Sequence, residues 1–189
     1  MPIFPIGIGK VSNFINEKER LFLIDSIKKN HHQEHSVISG NGSSTHNSVV
    51  DKDIKNILGY SKISHRLYQQ VNKYAIEYGI RYPLKIDNLW SNIQHSGSVL
   101  EEHYHPISII SGALYVNIDD SCSITFHNPN PHIYYTPINQ RNSLNFEWQK
   151  CKIVNGDLIL FPSWLKHGNH KEVNQMNDRM VISFNTHYG

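Results

Sequence analysis

Glu101-Glu102-His103-Tyr104-His105-Pro106 is the stretch on which the reading of this chain turns. Two histidines two residues apart on an extended segment point their rings to one face, because side chains alternate along a strand. That is a chelating pair for a metal ion. Far downstream, Gly156-Asp157-Leu158-Ile159-Leu160-Phe161-Pro162-Ser163-Trp164-Leu165-Lys166-His167 reads as an apolar strand that turns at Pro162 and presents His167. Arg179 then opens the last strand, with Val181 and Ser183 on its face. A paired ligand, a distant histidine and a following basic residue form a combination rarer than any one of them.

The sequence around these segments has the texture of a many-stranded antiparallel sheet. After Pro83 short alternating or apolar runs are broken by Gly, Pro, Asn and Asp, and no helical period recurs. Strands are expected near Leu84–Gln94, Val99–His105, Ser108–Ile118, Ser123–Asn128, His132–Thr136, Leu144–Trp148, Asp157–Phe161 and Arg179–Thr186. Upstream, Asn16 as N-cap, Glu19 as its capping-box partner and Leu21, Ile24 and Ile27 on one face predict a helix to about Lys29. Ile63, Leu67, Val71, Tyr74 and Tyr78 predict a second from about Ser61 to Tyr78, ended by Gly79. Between them, His31 to Ser48 is too polar to form a core of its own and reads as a long loop, a potential lid.

The fold class that follows is mainly β (α+β): a double-stranded β-helix, or cupin-like jelly-roll, with N-terminal helices packed on one sheet. An immunoglobulin-like sandwich is the other architecture, but it gives no reason for the histidine placement. The chain reads as a single domain over 1–189, with a helical N-terminal part over 1–82 and a jelly-roll core over 83–189.

Composition excludes several classes. Eighteen basic against sixteen acidic side chains, a formal charge of +2, provide no concentrated basic surface for nucleic acid. Cys122 and Cys151 form no C-x-x-C pair, as suits a reducing compartment, and no apolar run is long enough to span a bilayer. The chain therefore reads as cytoplasmic, in the host cytoplasm if phage-encoded. The expected partner is an unidentified small-molecule or protein side-chain substrate, and a homodimer is left open.

These motifs, taken in order, resemble the iron(II)/2-oxoglutarate-dependent oxygenases, most closely a phage and bacterial subgroup with a His-x-His-Pro and FPSWLxH pattern. The resemblance runs from about Trp90 to Asn185 and rests on Trp90 and Asn92, the His-Tyr-His-Pro segment, Ser111-Gly112 leading to Leu114-Tyr115-Val116, FPSWLxH, and Arg179 with Ser183-Phe184-Asn185. It implies the jelly-roll, Fe(II) as metal, and 2-oxoglutarate and O2 as cosubstrates of an oxygenase that hydroxylates its substrate. It further implies that Arg179 clamps the distal carboxylate of 2-oxoglutarate, as a planar guanidinium does bidentately. Tyr115 resembles the tyrosine that reaches the same carboxylate in prolyl hydroxylases, and Ser183 and Asn92 join the cosubstrate site.

One departure from the wider superfamily stands out. Its usual triad is two histidines and a carboxylate two residues after the first, and His105 occupies that place here. Either three imidazoles, His103, His105 and His167, hold the metal, or His105 stands behind it and a carboxylate, Glu101 first, completes the set. The first reading is adopted. A three-histidine site also resembles cupin dioxygenases and isomerases that need no 2-oxoglutarate, and a non-catalytic jelly-roll binding module is a further alternative. The plainer readings of the remaining residues place His170 in solvent, His31, His32, His35 and His46 in a solvated loop, and Trp90, Trp148 and Trp164 in the core.

Overall fold

The computed structural model describes residues 6–30, 33–46, 58, 62–135, 137–142, 145–169 and 172–189. Its largest unit is a six-stranded antiparallel sheet in the order β1-β9-β6-β11-β4-β3. The strands are β1 (Gly9–Val11), β3 (Gly42–Ser44), β4 (Leu84–Gln94), β6 (Ile110–Asn117), β9 (Leu158–Pro162) and β11 (Arg179–Tyr188). A three-stranded sheet, β10-β7-β8, is built from β10 (His167–Gly168), β7 (Ile124–His127) and β8 (Trp148–Cys151). A two-stranded ribbon pairs β2 (Ile38–Ser39) with β5 (Val99–Leu100).

Alternation along the central strands divides the apolar residues into two clusters. Leu114, Val116, Met180, Ile182 and Phe184 face the helices in one cluster, with Leu23 and Ile27 of α1 (Glu17–Lys29) and Leu67 and Val71 of α2 (Ile63–Glu77). Ala113, Tyr115 and Val181, one residue out of phase, face the other way with Ile124, Phe126, Phe161 and Leu165. A one-residue slip would exchange the two faces, so burial fixes the register. Gly112 sits in the helix-facing row, where a Cβ would lie 2.2 Å from the ring of Phe184, so only glycine admits that ring.

The helices form as their sequence directs. The Asn16 side chain accepts from Glu19 N–H, and the Glu19 carboxylate accepts from Asn16 N–H, both at 3.0 Å, which closes the capping box. Glu19 also meets Arg66 at 2.9 Å and so ties α1 to α2. The second helix begins at Ile63, after Lys62 in the left-handed region (φ 61°), without a side-chain cap; Ser61 lies outside the described residues. Gly79, at φ 91°, follows its end as expected.

Six expectations need correction. Over His132–Tyr135 there is no strand: Asn130 accepts from His132 N–H at 3.1 Å and Pro131 opens a 3-10 turn over Pro131–Tyr134, so turn chemistry prevails over β-propensity, while Thr136 lies outside the described residues. Of the strand placed at Leu144–Trp148, Leu144 lies outside the described residues, and β8 starts only at Trp148, because Asn145 folds back to accept from Asn142 N–H at 2.7 Å. Val99–His105 is regular only over Val99–Leu100, and His103 joins through an isolated bridge. The loop from His31 contains β2 and β3, and β3 closes one edge of the main sheet against β4. The N-terminal part is thus not helical alone, since β1 also joins the sheet through β9. Trp148 and Trp164 are 36% and 51% exposed rather than core.

Candidate metal centre and cosubstrate pocket

Three segments converge at the site. His103 N–H donates to His167 C=O and His167 N–H to His103 C=O, each at 2.9 Å, while His105 N–H donates to Ser163 C=O at 2.9 Å. These backbone pairs hold the His-Tyr-His segment against the turn that begins at Pro162. The rings of His103 and His167 are 4.4 Å apart, those of His103 and His105 5.0 Å, and those of His105 and His167 5.2 Å. One ring nitrogen from each lies within 4.8 Å of the other two.

Hydrogen bonding fixes which nitrogens are available. His103 Nδ1 is 2.7 Å from Glu101 C=O, and His167 Nδ1 is 2.8 Å from Leu165 C=O. A carbonyl can only accept, so Nδ1 carries the proton and Nε2 keeps its lone pair. Metal-ligating histidines commonly have this arrangement, a carbonyl behind the ring that sets tautomer and orientation. Burial, reinforced by the neighbouring imidazoles, holds His105 down to about 3 and His167 well below the usual histidine range, while burial lowers His103 against the pull of its carbonyl partner. All three are neutral near pH 7, the state a metal requires. The donor set fits a divalent iron.

Glu101 does not join this cluster. It is exposed, its carbonyl serves His103, and among the described residues only the three histidines form the group. Its predicted place on the ligand face needed a regular strand, which ends at Leu100. Glu102 turns outward to Lys166 at 2.7 Å and His127 at 2.9 Å.

The histidines open into a cavity of about 620 Å³ that also meets Arg179, Tyr115, Asn92 and Ser183. Arg179 is 2% exposed, donates from Nη1 to Gln94 Oε1 at 2.7 Å, and has no partner at Nε. No carboxylate forms an ion pair with it among the described residues. A buried guanidinium without a counter-charge is costly unless a bound anion supplies one. Its Cζ lies 5.8 Å from the centre of the Tyr115 ring, and burial pushes the Tyr115 hydroxyl well above the usual range, so it stays protonated. Asn92 donates to Ser183 Oγ at 3.4 Å, and its Oδ1 has no partner.

One flank of the cavity was missed in the sequence. His35 and His46, read as solvated, are partly buried, His35 ahead of β2 and His46 just after β3: their rings lie 4.7 Å apart, His46 is 4.8 Å edge-on to Trp90, and Trp90 is 5.9 Å from His105. Burial and the nearby imidazoles push His35 down to about 4. Trp90 is buried, as expected, yet it lines the cavity. His31, His32 and His170 lie outside the described residues.

Comparison with known proteins gives the family and the fold. The family described as "Putative 2OG-Fe(II) oxygenase" matches residues 88–185, just over half the chain and nearly the span over which the sequence motifs run. The chain belongs to that family of iron(II)- and 2-oxoglutarate-dependent oxygenases. No curated protein matches its sequence. Among solved structures it is similar to a 2OG-Fe(II) oxygenase-family oxidoreductase from Burkholderia pseudomallei, with TM-score 0.64, 13% identity and coverage of 97% of this chain and 86% of that one. It is similar to HygX from Streptomyces hygroscopicus with nickel and 2-oxoglutarate bound, with TM-score 0.61, 11% identity and coverage of 96% and 82%. The epimerase SnoN from nogalamycin biosynthesis gives TM-score 0.70 at 12% identity, over 97% of this chain and 78% of that one. At these identities the likeness is one of fold, and it agrees with the jelly-roll expected from sequence.

Proposed function

We propose that His103 and His167, through their Nε2 atoms, and His105, through a ring nitrogen, hold the iron of this oxygenase, and that Arg179 binds the distal carboxylate of 2-oxoglutarate with Tyr115, Asn92 and Ser183 lining the same seat. Bound iron supplies the oxidising chemistry, with 2-oxoglutarate and O2 as cosubstrates and hydroxylation of an unidentified substrate as the outcome. The protein contributes position and dryness. The Glu101 and Leu165 carbonyls fix two of the imidazoles, and the backbone pairing of His103 with His167 fixes their separation. Phe161 packs 4.5 Å from the His167 ring and helps keep water from it. His35, His46 and Trp90 wall the flank beside His105 and form the face that substrate meets.

The observation that carries the reading is the pairing, in one cavity, of three neutral imidazoles with a buried guanidinium that lacks an acidic partner. A cosubstrate-free cupin has no use for that guanidinium, and a binding module has none for the imidazoles. Two free cysteines, one of them buried, further support a reducing, cytoplasmic setting. The test is anaerobic titration of the protein with iron(II) and then 2-oxoglutarate, following metal stoichiometry and the absorbance of the chelated keto acid. One iron per chain and a saturable band are expected; iron without the band leaves the cosubstrate-free reading in place.

A further inference from the structure

The cavity contains a polar side chain that the motifs do not assign. Asn169 is 1% exposed and lines the cavity, yet neither its Nδ2 nor its Oδ1 has a partner. Its backbone is fully engaged: the N–H donates to Leu100 C=O at 3.0 Å, and the C=O accepts from Glu172 N–H at 3.0 Å. A buried amide is seldom left unpaired at both ends unless a ligand or an ordered water completes it.

Its position follows from the pairing around it. Residues 98–103 lead from beyond β4 towards the histidines, and His167, Asn169 and Asn174 pair with them in antiparallel order. Asn174 N–H donates to Ser98 C=O at 2.9 Å, Asn169 N–H meets Leu100, and His167 pairs with His103. Asn169 therefore lies between the histidines and the end of β4, where Gln94 pairs with Arg179. Two residues of extended chain beyond His167 amount to about 6.6 Å. That is about the reach of a five-carbon diacid held at the metal by its keto acid end. Gln94, 2% exposed, faces the same cavity with its Nε2 unpartnered while its Oε1 accepts from Arg179.

The geometry points to Asn169, assisted by Gln94, as a further binding residue for the distal carboxylate of 2-oxoglutarate, joining Arg179. This rests on the cosubstrate reading above. The carboxylate oxygens have lone pairs enough for the Arg179 Nε–H, the Gln94 Nε2–H and the Asn169 Nδ2–H together. Asn169 Oδ1 is left for a water or a substrate hydroxyl. An arginine clamp alone would leave these amides stranded.

The experiment is anaerobic titration of the iron-loaded parent, Asn169→Ala and Asn169→Asp with 2-oxoglutarate, alongside the iron affinity of each. Asn169→Ala is expected to raise the 2-oxoglutarate dissociation constant about tenfold, as for loss of one charge-assisted hydrogen bond, with iron affinity unchanged. Asn169→Asp, of the same shape, should lose more, because a carboxylate then faces a carboxylate. An unchanged 2-oxoglutarate midpoint in either variant, or iron affinity falling in step with it, overturns the assignment. A parent that binds iron but shows no 2-oxoglutarate band overturns the cosubstrate reading as well.

Discussion

His103 and His167 form a two-residue antiparallel bridge, each donating its N–H to the other's carbonyl at 2.9 Å, so the separation of two of the clustered imidazole rings is set by main chain. Gly168 permits this approach. A Cβ there would lie 3.0 Å from Leu100 O, Glu101 O and Glu102 Cα, all backbone atoms that cannot rotate away.

Gly168→Ala is therefore expected to weaken iron binding although it alters no ligand. The added methyl must push residues 100–102 outward, and with them His103. Iron affinity measured by competition with a chelator should fall by about tenfold or more, comparable to the overpacking cost of about 1–3 kcal/mol. Parent-like affinity would show that the bridge tolerates the displacement.

His105 and Glu101 separate the two readings of the third ligand. His105→Ala should lose iron, His105→Asp should retain part of it by restoring the usual carboxylate, and Glu101→Gln should bind as the parent does, because Glu101 is exposed and outside the cluster. Metal content after reconstitution decides. If Glu101→Gln loses iron and His105→Ala retains it, the three-histidine set is wrong.

Acid should destabilise the metal-free protein in a defined window. Burial first, with neighbouring imidazoles, holds His35 down to about 4 and His105 to about 3, from an ordinary 6.5. Below pH 6.5 the unfolded chain takes up protons that the folded chain refuses, so stability falls as pH falls, and above about 7 these groups contribute no slope. The midpoint of thermal unfolding of chelator-treated protein should be flat from pH 8 to 7 and decline from 6.5 to 5; a rise on acidification would contradict buried neutral imidazoles.

What the sequence made legible was what local chemistry dictates. The Asn16–Glu19 capping box, the approach of the His103 and His105 rings and the common face of Arg179, Val181 and Ser183 on β11 depend on neighbours close in the chain or on a two-residue period, and the structure brings each of these groups together. What it hid depends on contacts across the fold. His35 and His46 lie in a polar stretch that looks solvated, and only the pairing of β3 with β4 carries them to Trp90. Asn169 gave no sign at all, because an asparagine two residues after His167 matters only once residues 98–103 cover its backbone. Asn130 and Pro131 did carry a turn signal, and the strand reading at His132 overrode it.

Arg179 provides the sharpest test of the cosubstrate site. It begins β11 opposite Gln94, and the one hydrogen bond it makes to that side chain leaves Nε unpartnered in a site that is 2% exposed. If a carboxylate completes it, Arg179→Ala removes one side of a partly desolvated, charge-assisted pair, a loss on the order of 2–4 kcal/mol, or roughly 30- to 1000-fold in the dissociation constant of 2-oxoglutarate. Iron affinity should barely change, since no ligand contacts the guanidinium. Arg179→Lys should recover only part of the binding, because an ammonium offers a point charge where the guanidinium offers a planar fork. The metal-free Arg179→Ala chain should also unfold at a temperature no lower than the parent, as it no longer buries an uncompensated charge. A 2-oxoglutarate midpoint unchanged in Arg179→Ala, with the band still present, would leave the metal centre intact and move the carboxylate seat elsewhere in the cavity.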